Sequence, residues 1–414
     1  MSLISSTVIA VGGGKGGVGK SFVASNLACA IAKCNRSVIL VDADLGGANI
    51  NLLFGIKYPE RTLNDFLKKK VPKFSDILLP TPLPNLRLIC GASDLLEIAN
   101  PLYAQKQRLI REIGKLKADV VVIDIGAGAS LNNLDFFNAA DIGIIVTTPS
   151  PTALQNAYGF LKMAVHRKIV GVFAADTALK QELTTAFGDI NEFKNIKDFI
   201  AMINRRDPET ARQVSLFLQQ CRYRLIVNTA TQSEGERVAK VLCGVAYQYL
   251  NINLTMIGTI AYDAAVEISI RKMEPLVLSD KAAASGPFLR LAKQLIEDEK
   301  AVLHSSAKTD RTAVLPDMES GLHVGLSLSD AALLRDTKLQ VQTEDLGIEQ
   351  AMIVTLVFSG GRILYSRKSS YEEILKQSDV QRAVAEQVKV QHRAVLADIE
   401  NGALTAQLDV EKGH

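Results

Sequence analysis

The chain has little charge imbalance, no paired cysteines and no long apolar run. Its 47 Lys and Arg against 44 Asp and Glu leave a formal charge of +3 over 414 residues. That balance gives no general footprint for nucleic acid, which is bound through excess positive charge. Basic side chains can still cluster on one face, so DNA is disfavoured without being excluded. The five cysteines (Cys29, Cys34, Cys90, Cys221 and Cys243) form no C-x-x-C pair and have no metal-ligand spacing. They read as reduced thiols of a cytoplasmic protein. No apolar run reaches the roughly 18 residues of a membrane-crossing helix. The first apolar stretch leads into a glycine-rich loop, which is not a signal-peptide pattern. Any membrane contact is expected to be peripheral. At 48% hydrophobic residues, the chain can bury one large α/β core plus a smaller addition.

What is present begins at Val8. Val8 to Val11 reads as a buried strand, Phe22 to Lys33 as a helix, and a glycine-rich loop joins them. Gly14, Gly19, Lys20 and Ser21 fit the pattern G-x-x-x-x-G-K-[ST]. Glycines let successive N–H groups turn toward one phosphate cluster. The helix N-terminus adds its partial positive charge. In such a loop Lys20 reaches the β- and γ-phosphates, and the Ser21 hydroxyl ligates Mg²⁺. Gly16, Gly17, Val18 and Phe22 complete the expected cradle. A second lysine, Lys15, is not required by this pattern and reads equally well as a solvated loop charge.

Two more strands end in carboxylates. Ser37 to Asp42 runs into Asp42-Ala-Asp-Leu-Gly-Gly-Ala-Asn49, and Asp119 to Asp124 runs into Ile-Gly-Ala-Gly128. Carboxylates at the C-terminal ends of parallel strands face the crevice where α/β sheets bind ligands. Asp44 is the candidate to orient the attacking water, with Asp42 nearer the metal. Asp124 has the Walker B arrangement and would hold Mg²⁺ through a water. Gly126 and Gly128 would let the backbone approach the γ-phosphate and move when it leaves. Further strands are expected at Leu86–Cys90, Asp141–Thr148, Arg224–Asn228 and Thr255–Ile260, with helices between them. The fold class is thus a mostly parallel sheet flanked by helices.

Lys15-Gly-Gly-Val-Gly-Lys-Ser21 resembles the deviant P-loop of the MinD/ParA ATPases. The stretch from Asp42 to Asn49 resembles their D-x-D-x-G-x-x-N switch. Ala118–Gly128, Leu131–Phe137 and Thr147–Thr152 look like the flagellar-number regulators called FlhG or FleN within that group. The resemblance covers Val8 to about Glu299, apart from an insertion. It implies ATP and Mg²⁺ as ligands and an ATP-dependent homodimer in which Lys15 reaches the partner's nucleotide. It implies that Asp44 acts on the attacking water, that Asn49 lies near the nucleotide, and that Asn228 hydrogen-bonds the adenine. Ala261 and Asp263 would line the base, although the family's usual proline is missing there.

The domains expected are residues 1–300 for the ATPase, 301–318 for a linker and 319–414 for a small C-terminal α+β module. The module should hold three strands, Lys338–Thr343, Ala351–Phe358 and Arg362–Arg367, with Gly360-Gly361 as a hairpin signal. A long helical pattern from Tyr371 to Asn401 carries Val380, Val384, Val388, Val395 and Ile399 on one stripe. It should either cover the small sheet or the ATPase domain, or meet a partner helix. The insertion, about residues 170–220, shows helical periodicity in two pieces, one with Phe193 to Ile203 and one from Pro208 to Gln220. It reads as an edge-packed excursion or as a docking site for an unidentified protein. The family's basic amphipathic membrane helix has no counterpart in Leu404–His414, so membrane binding should be weak or absent.

The expected function is an ATP-dependent switch that hydrolyses ATP slowly and positions or counts a polar structure such as a flagellum or pilus. It would act in the cytoplasm, at the inner membrane face or at a cell pole. The alternatives are a DNA- or cargo-partitioning ParA and a nucleotide-bound scaffold with little turnover. An iron–sulfur carrier on the same fold would need paired cysteines near the switch loops.

Overall fold

The computed structural model describes residues 6–14, 16–45, 47–91, 103–172, 196–278, 285–304, 327–334, 337–345, 351–359, 362–376 and 380–404. The chain forms two compact units, residues 1–96 with 110–316, and residues 317–414 with 97–109.

The first unit is built on an eight-stranded sheet. In chain order the elements between residues 6 and 304 are β1 (Thr7–Gly12), α1 (Lys20–Lys33), β2 (Val38–Ala43), α2 (Ile50–Leu53), α3 (Leu63–Leu67), β3 (Leu79–Pro80), β4 (Leu86–Ile89), α4 (Tyr103–Gly114), β5 (Val120–Ile125), α5 (Leu131–Asn138), β6 (Ile142–Thr147), α6 (Pro151–Val172), α7 (Ile196–Asn204), α8 (Pro208–Gln220), β7 (Tyr223–Asn228), α9 (Gln232–Leu250), β8 (Leu254–Ile260), α10 (Ala265–Lys272) and α11 (Ser285–His304). The strand order is β3-β4-β2-β5-β1-β6-β7-β8. Every pairing is parallel except β3 with β4.

The central strands β1, β2, β5 and β6 are buried at all six positions. A strand covered by helices on both faces needs an unbroken run of branched apolar residues, which Val-Ile-Leu-Val and Val-Val-Val-Ile supply. Helix α1 is buried from Val23 through Ala32, and its small residues let it lie close to the sheet. The chain moves to one side of β1 for β2 and β5, and to the other for β6 to β8. Strand β1 is therefore where the topology reverses, and the loops at its C-terminal end line the resulting crevice. The register sets Asp42 directly beside Asp124 across β2 and β5.

The insertion contributes α7 and α8. Ile196, Phe199 and Ile203 of α7 and Ala211, Val214 and Leu218 of α8 are buried. Asp207 caps α8 by accepting from the N–H groups of Glu209 and Thr210. The Lys197 ammonium lies 4.5 Å from the centre of the Tyr247 ring on α9. Residues 173–195, including Phe193, lie outside the described residues, as does most of the expected linker.

The second unit holds β9 (Ser327–Leu334), β10 (Thr337–Asp345), β11 (Met352–Ser359), β12 (Arg362–Ser370) and α12 (Val380–Glu400). The strands form an antiparallel meander. Three strands were expected here and four are found. Ser-Leu-Ser-Asp-Ala-Ala-Leu-Leu of β9 has too little alternation and too few branched residues to stand out, and pairing to β10 along its length supplies what its own pattern lacks. The glycines expected at the β11–β12 turn, Gly360 and Gly361, lie outside the described residues.

The stripe on α12 is used within the unit. Val384 and Val388 pack with Ala351, Ile353 and Tyr371, and Val395 and Ile399 pack with Leu339, Val341 and Val357. The helix covers the small sheet, which leaves that stripe no partner helix to meet. The same helix joins a polar chain that is buried at Thr343, Thr355 and His392 and ends at the exposed Asp330. Thr343 Oγ1 is 2.7 Å from Thr355 Oγ1 and 2.8 Å from His392 Nδ1, and His392 Nε2 is 3.0 Å from Asp330 Oδ2. Gln391 Nε2 donates to Thr355 Oγ1 at 3.0 Å. Thr343→Val keeps the shape and strands two buried partners, so it should cost this unit about 1–3 kcal/mol. Guanidinium unfolding followed by a fluorophore on this unit measures it, and an unchanged midpoint would refute the assignment.

Candidate functional site

The site forms where β1, β2 and β5 end. The loop from Gly12 to Gly19 leads into α1, and its shape demands glycine at particular points. Gly17 and Gly19 have φ of 82° and 90°, in the region that L side chains avoid. Gly14 lies against the second turn of α6, where a methyl on its Cα would stand 1.9 Å from the carbonyl oxygen of Asn156. Lys15 lies outside the described residues. The start of α1 has no side-chain cap and no acidic residue in its first turn. Its positive dipole end suits an anion.

Lys20 opens α1 and is 7% exposed. Burial lowers its pKa, and the charges of Asp124 and Asp44 oppose that shift. Ser21 follows it, and its hydroxyl bonds the Asp124 carboxylate. Asp124 is buried, and one of its oxygens, Oδ1, has no hydrogen-bond partner. Its pKa is raised well above the usual carboxylate value, first by burial, then by the charge of Asp42. Asp42 is buried beside it and is pushed up to about 7, again mainly by burial.

The two carboxylates differ in what they have left to offer. Asp42 Oδ1 accepts from the N–H of Asp44 at 3.2 Å, and Oδ2 accepts from Asn49 and Ile50 at 3.0 and 3.1 Å. It ties down the loop after β2 and delivers Asn49 through its backbone. Asp124 keeps an unpartnered oxygen next to the Ser21 hydroxyl. A buried, unpartnered carboxylate oxygen beside a hydroxyl suits a hard divalent cation, which takes oxygen ligands. Among the described residues no group of three or more His, Cys, Asp or Glu could hold a metal alone. A phosphate-bound Mg²⁺ needs no such group, because phosphate oxygens and waters complete its shell. The residues therefore fit Mg²⁺ brought in with a nucleotide.

Asp44 approaches the loop after β5. A methyl on Gly126 would stand 2.9 Å from Asp44 Oδ1 and 3.3 Å from Asn133 Oδ1. Gly128 has a φ of 83°. Ser130 caps α5 by accepting from the Asn133 N–H at 3.2 Å. On the opposite side, Asn228 at the end of β7 donates from Nδ2 to the Val18 carbonyl at 2.9 Å. Phe22 packs edge-on against Phe288 of α11, with ring centres 5.7 Å apart. Asp263 Oδ1 accepts from the Ala265 N–H at 2.8 Å, and Ala261 is exposed in the same loop.

The structure thus brings Gly14, Gly16, Gly17, Val18, Gly19, Lys20, Ser21, Asp42, Asp44, Asn49, Asp124 and Gly128 to one crevice, with Asn228 reaching it through Val18. Sequence reasoning passed over Asn133, whose only signal was an amide side chain soon after a glycine-rich loop. The cysteines are all free. Burial and the nearby Asp42 charge push the Cys90 thiol up to about 12.

A family model described as "ParA: NUBPL iron-transfer P-loop NTPase" matches residues 5–175. The antiactivator FleN of Pseudomonas aeruginosa is 30% identical over 268 residues, which are 64% of this chain and 77% of that protein. The flagellum site-determining protein YlxH of Helicobacter pylori is 38% identical over 158 residues, 37% of this chain and 52% of that protein. A solved structure of the septum site-determining protein MinD with Mg-ADP, from Pyrococcus horikoshii, is 21% identical, covers 73% of this chain and 100% of its own, and has a TM-score of 0.49.

Proposed function

The chain belongs to the ParA/MinD family of P-loop NTPases, and from that premise we propose that it is an ATP-gated dimerisation switch that positions or counts flagella at a cell pole. Members of the family hydrolyse ATP, and this chain is an ATPase that takes ATP with Mg²⁺. The observation that carries the reading is the cluster of Lys20, Ser21, Asp124 and Asp44 at the uncapped start of α1.

The loop N–H groups and the α1 N-terminus hold the phosphates, and Lys20 pairs with their charge. Ser21 and Asp124 would hold Mg²⁺, which would supply charge neutralisation at the phosphates. Asp44 orients water on the γ-phosphate side. Asn228 stands at the adenine end, with Ala261 and Asp263 nearby. Lys15 stabilises the nucleotide of a second copy, so ATP joins two protomers face to face. Loss of the γ-phosphate releases the loops at Asp44–Asn49 and Gly126–Gly128, and the dimer separates. The flagellar output is supported by the name of the Helicobacter pylori relative, a flagellum site-determining protein. No helix among the described residues is long and apolar enough to cross a membrane. The insertion and the C-terminal unit are the surfaces offered to a partner protein.

Solution mass by light scattering, with ADP and with Mg²⁺-ATP, tests the switch. Wild type should double its mass only with ATP. Asp44→Ala should stay doubled, and Lys15→Ala should stay single. A mass indifferent to nucleotide in all three proteins would remove the gated dimer and favour a nucleotide-bound scaffold.

A further inference from the structure

We propose that two side chains of α1, Asn26 and Lys33, clamp the segment 261–274 beside the nucleotide base and so set how fast the nucleotide leaves. This rests on the ATPase reading of the site and deepens it. The segment leaves β8 next to Asn228, because Ile260 is the register partner of Asn228 and Ala261 follows it. It runs through α10 and returns to the core at Pro275, Leu276 and Val277. Between residues 261 and 274 only Ser269 is buried. So little buried surface gives the segment a weak hold of its own. Its position is therefore decided at its far end.

At that end both backbone groups of Val277 are taken by side chains of α1. Its N–H donates to Asn26 Oδ1 at 2.9 Å, and its carbonyl accepts from Lys33 Nζ at 2.7 Å. Asn26 and Lys33 are seven residues apart. That is close to two helical turns, so both stand on one face of α1. Asn26 is 1% exposed, and its Nδ2 donates to the Phe22 carbonyl at 2.8 Å. With a donor at Val277 and an acceptor at Phe22, the amide has one possible orientation. Phe22 lies in the first turn of α1, directly after Ser21. One amide group thus links the phosphate end of α1 to the turn in which the base-side segment ends.

Apolar contacts follow the same path. Leu276 packs with Phe22, Ala265 and Val266. Ala265 in turn donates its N–H to Asp263 of the base-side loop at 2.8 Å. The first turn of α10 is therefore seated on Leu276, and Leu276 is held in place by the bonds to its neighbour Val277. Losing one of those bonds leaves a buried backbone group of Val277 unpaired, which favours its release to water. The segment then opens more often, and the base is freed when it opens. The phosphates are held by the Gly12–Gly19 loop and the start of α1, which the clamp leaves alone. Asn26 and Lys33 are positioning residues that act through Val277 on the base half of the nucleotide.

The test uses the full chain with Mg²⁺. It follows release of a ribose-labelled fluorescent ATP and measures the affinity for inorganic triphosphate by competition. Asn26→Ala should release the ATP analogue about tenfold faster and bind triphosphate within about twofold of wild type. Hydrogen exchange of the α10 amides should speed up by a similar factor. Lys33→Met keeps the apolar stem, loses the bond to Val277 and should speed release about threefold. Lys33 is exposed, so this variant carries the test if Asn26→Ala does not fold. Release at the wild-type rate in the folded variants overturns the proposal. So does an equal loss for ATP and triphosphate, which would mark a disturbed phosphate loop, and so does faster release without faster exchange in α10. Failure of the underlying reading shows separately, as a wild-type protein that does not bind Mg²⁺-ATP.

Discussion

Asp124→Asn is expected to make the nucleotide-free protein more stable while removing its activity. Asp124 and Asp42 are neighbours in register and both are buried. Burial raises both carboxyls, Asp42 to about 7. A carboxyl raised in the folded state favours folding while protonated. That stability is complete below the unfolded value near 4, is lost as pH rises toward about 7, and stays lost above it. Near pH 7.5 each buried carboxyl therefore opposes folding, whether it ionises out of reach of water or takes up a proton that the unfolded chain would release. Replacing the Asp124 carboxyl by an amide should stabilise the protein by about 1–3 kcal/mol, with the gain shrinking toward pH 4. The same change removes the unpartnered oxygen that fits Mg²⁺, so turnover should fall by about a hundredfold or more. Thermal melts from pH 5 to 8, with and without Mg²⁺-ATP, check both halves. Wild-type stability that is flat over that range, or a variant less stable than wild type at pH 7.5, would refute the account. Mg²⁺-ATP should raise the wild-type midpoint and leave that of the variant nearly unmoved.

Gly14→Ala should be the most damaging single methyl in the phosphate loop. Its new carbon would stand 1.9 Å from the Asn156 carbonyl oxygen and 2.3 Å from the carbonyl carbon. Both are backbone atoms in the second turn of α6 and cannot swing away. The loop must shift bodily, at a cost of about 3 kcal/mol or more, and nucleotide affinity should fall about a hundredfold. Gly19→Ala meets the Asn228 Nδ2 at 2.4 Å at a φ of 90°. That side chain can move, and moving it breaks its bond to Val18. Gly17→Ala has open space but a φ of 82°, which costs about 1–2 kcal/mol. Gly16→Ala makes only an ordinary 3.8 Å contact with Ala127. The expected order of harm to stability is Gly14, Gly19, Gly17, Gly16. Unfolding midpoints for the four variants test it, and a Gly14→Ala protein as stable as Gly16→Ala would break the argument.

How much of this was readable beforehand follows from where each signal resides. The parallel strands announced themselves because burial on both faces forces unbroken apolar runs such as Val120–Ile123. The phosphate loop did so because its glycines, lysine and serine must occur in fixed order along the chain. Helix α12 was legible from its valine stripe, although only the structure shows which surface the stripe meets. Asn133 was not legible as a support of the β5–α5 loop. Its part comes from two bonds, to the Ala127 and Gly128 carbonyls of the loop before it. The unequal tasks of Asp42 and Asp124 were hidden for the same reason. Both end a buried strand, and only hydrogen-bond geometry separates a carboxylate spent on three N–H groups from one with an oxygen to spare. Strand β9 was missed because pairing compensates for a weak pattern of its own.

The position of β1 at the middle of its sheet has a consequence for biosynthesis. Its two neighbours, β5 and β6, begin at Val120 and Ile142. At ribosomal elongation rates of about 5–20 residues per second, β1 waits roughly 5–20 s after its own translation before β5 is made. During that interval a greasy strand and the apolar helix behind it have nothing to pair with. The nascent chain is therefore most in need of chaperone cover before residue 125 emerges. The phosphate-binding end of the molecule, although encoded first, can be assembled only after the strand carrying Asp124 has left the exit tunnel.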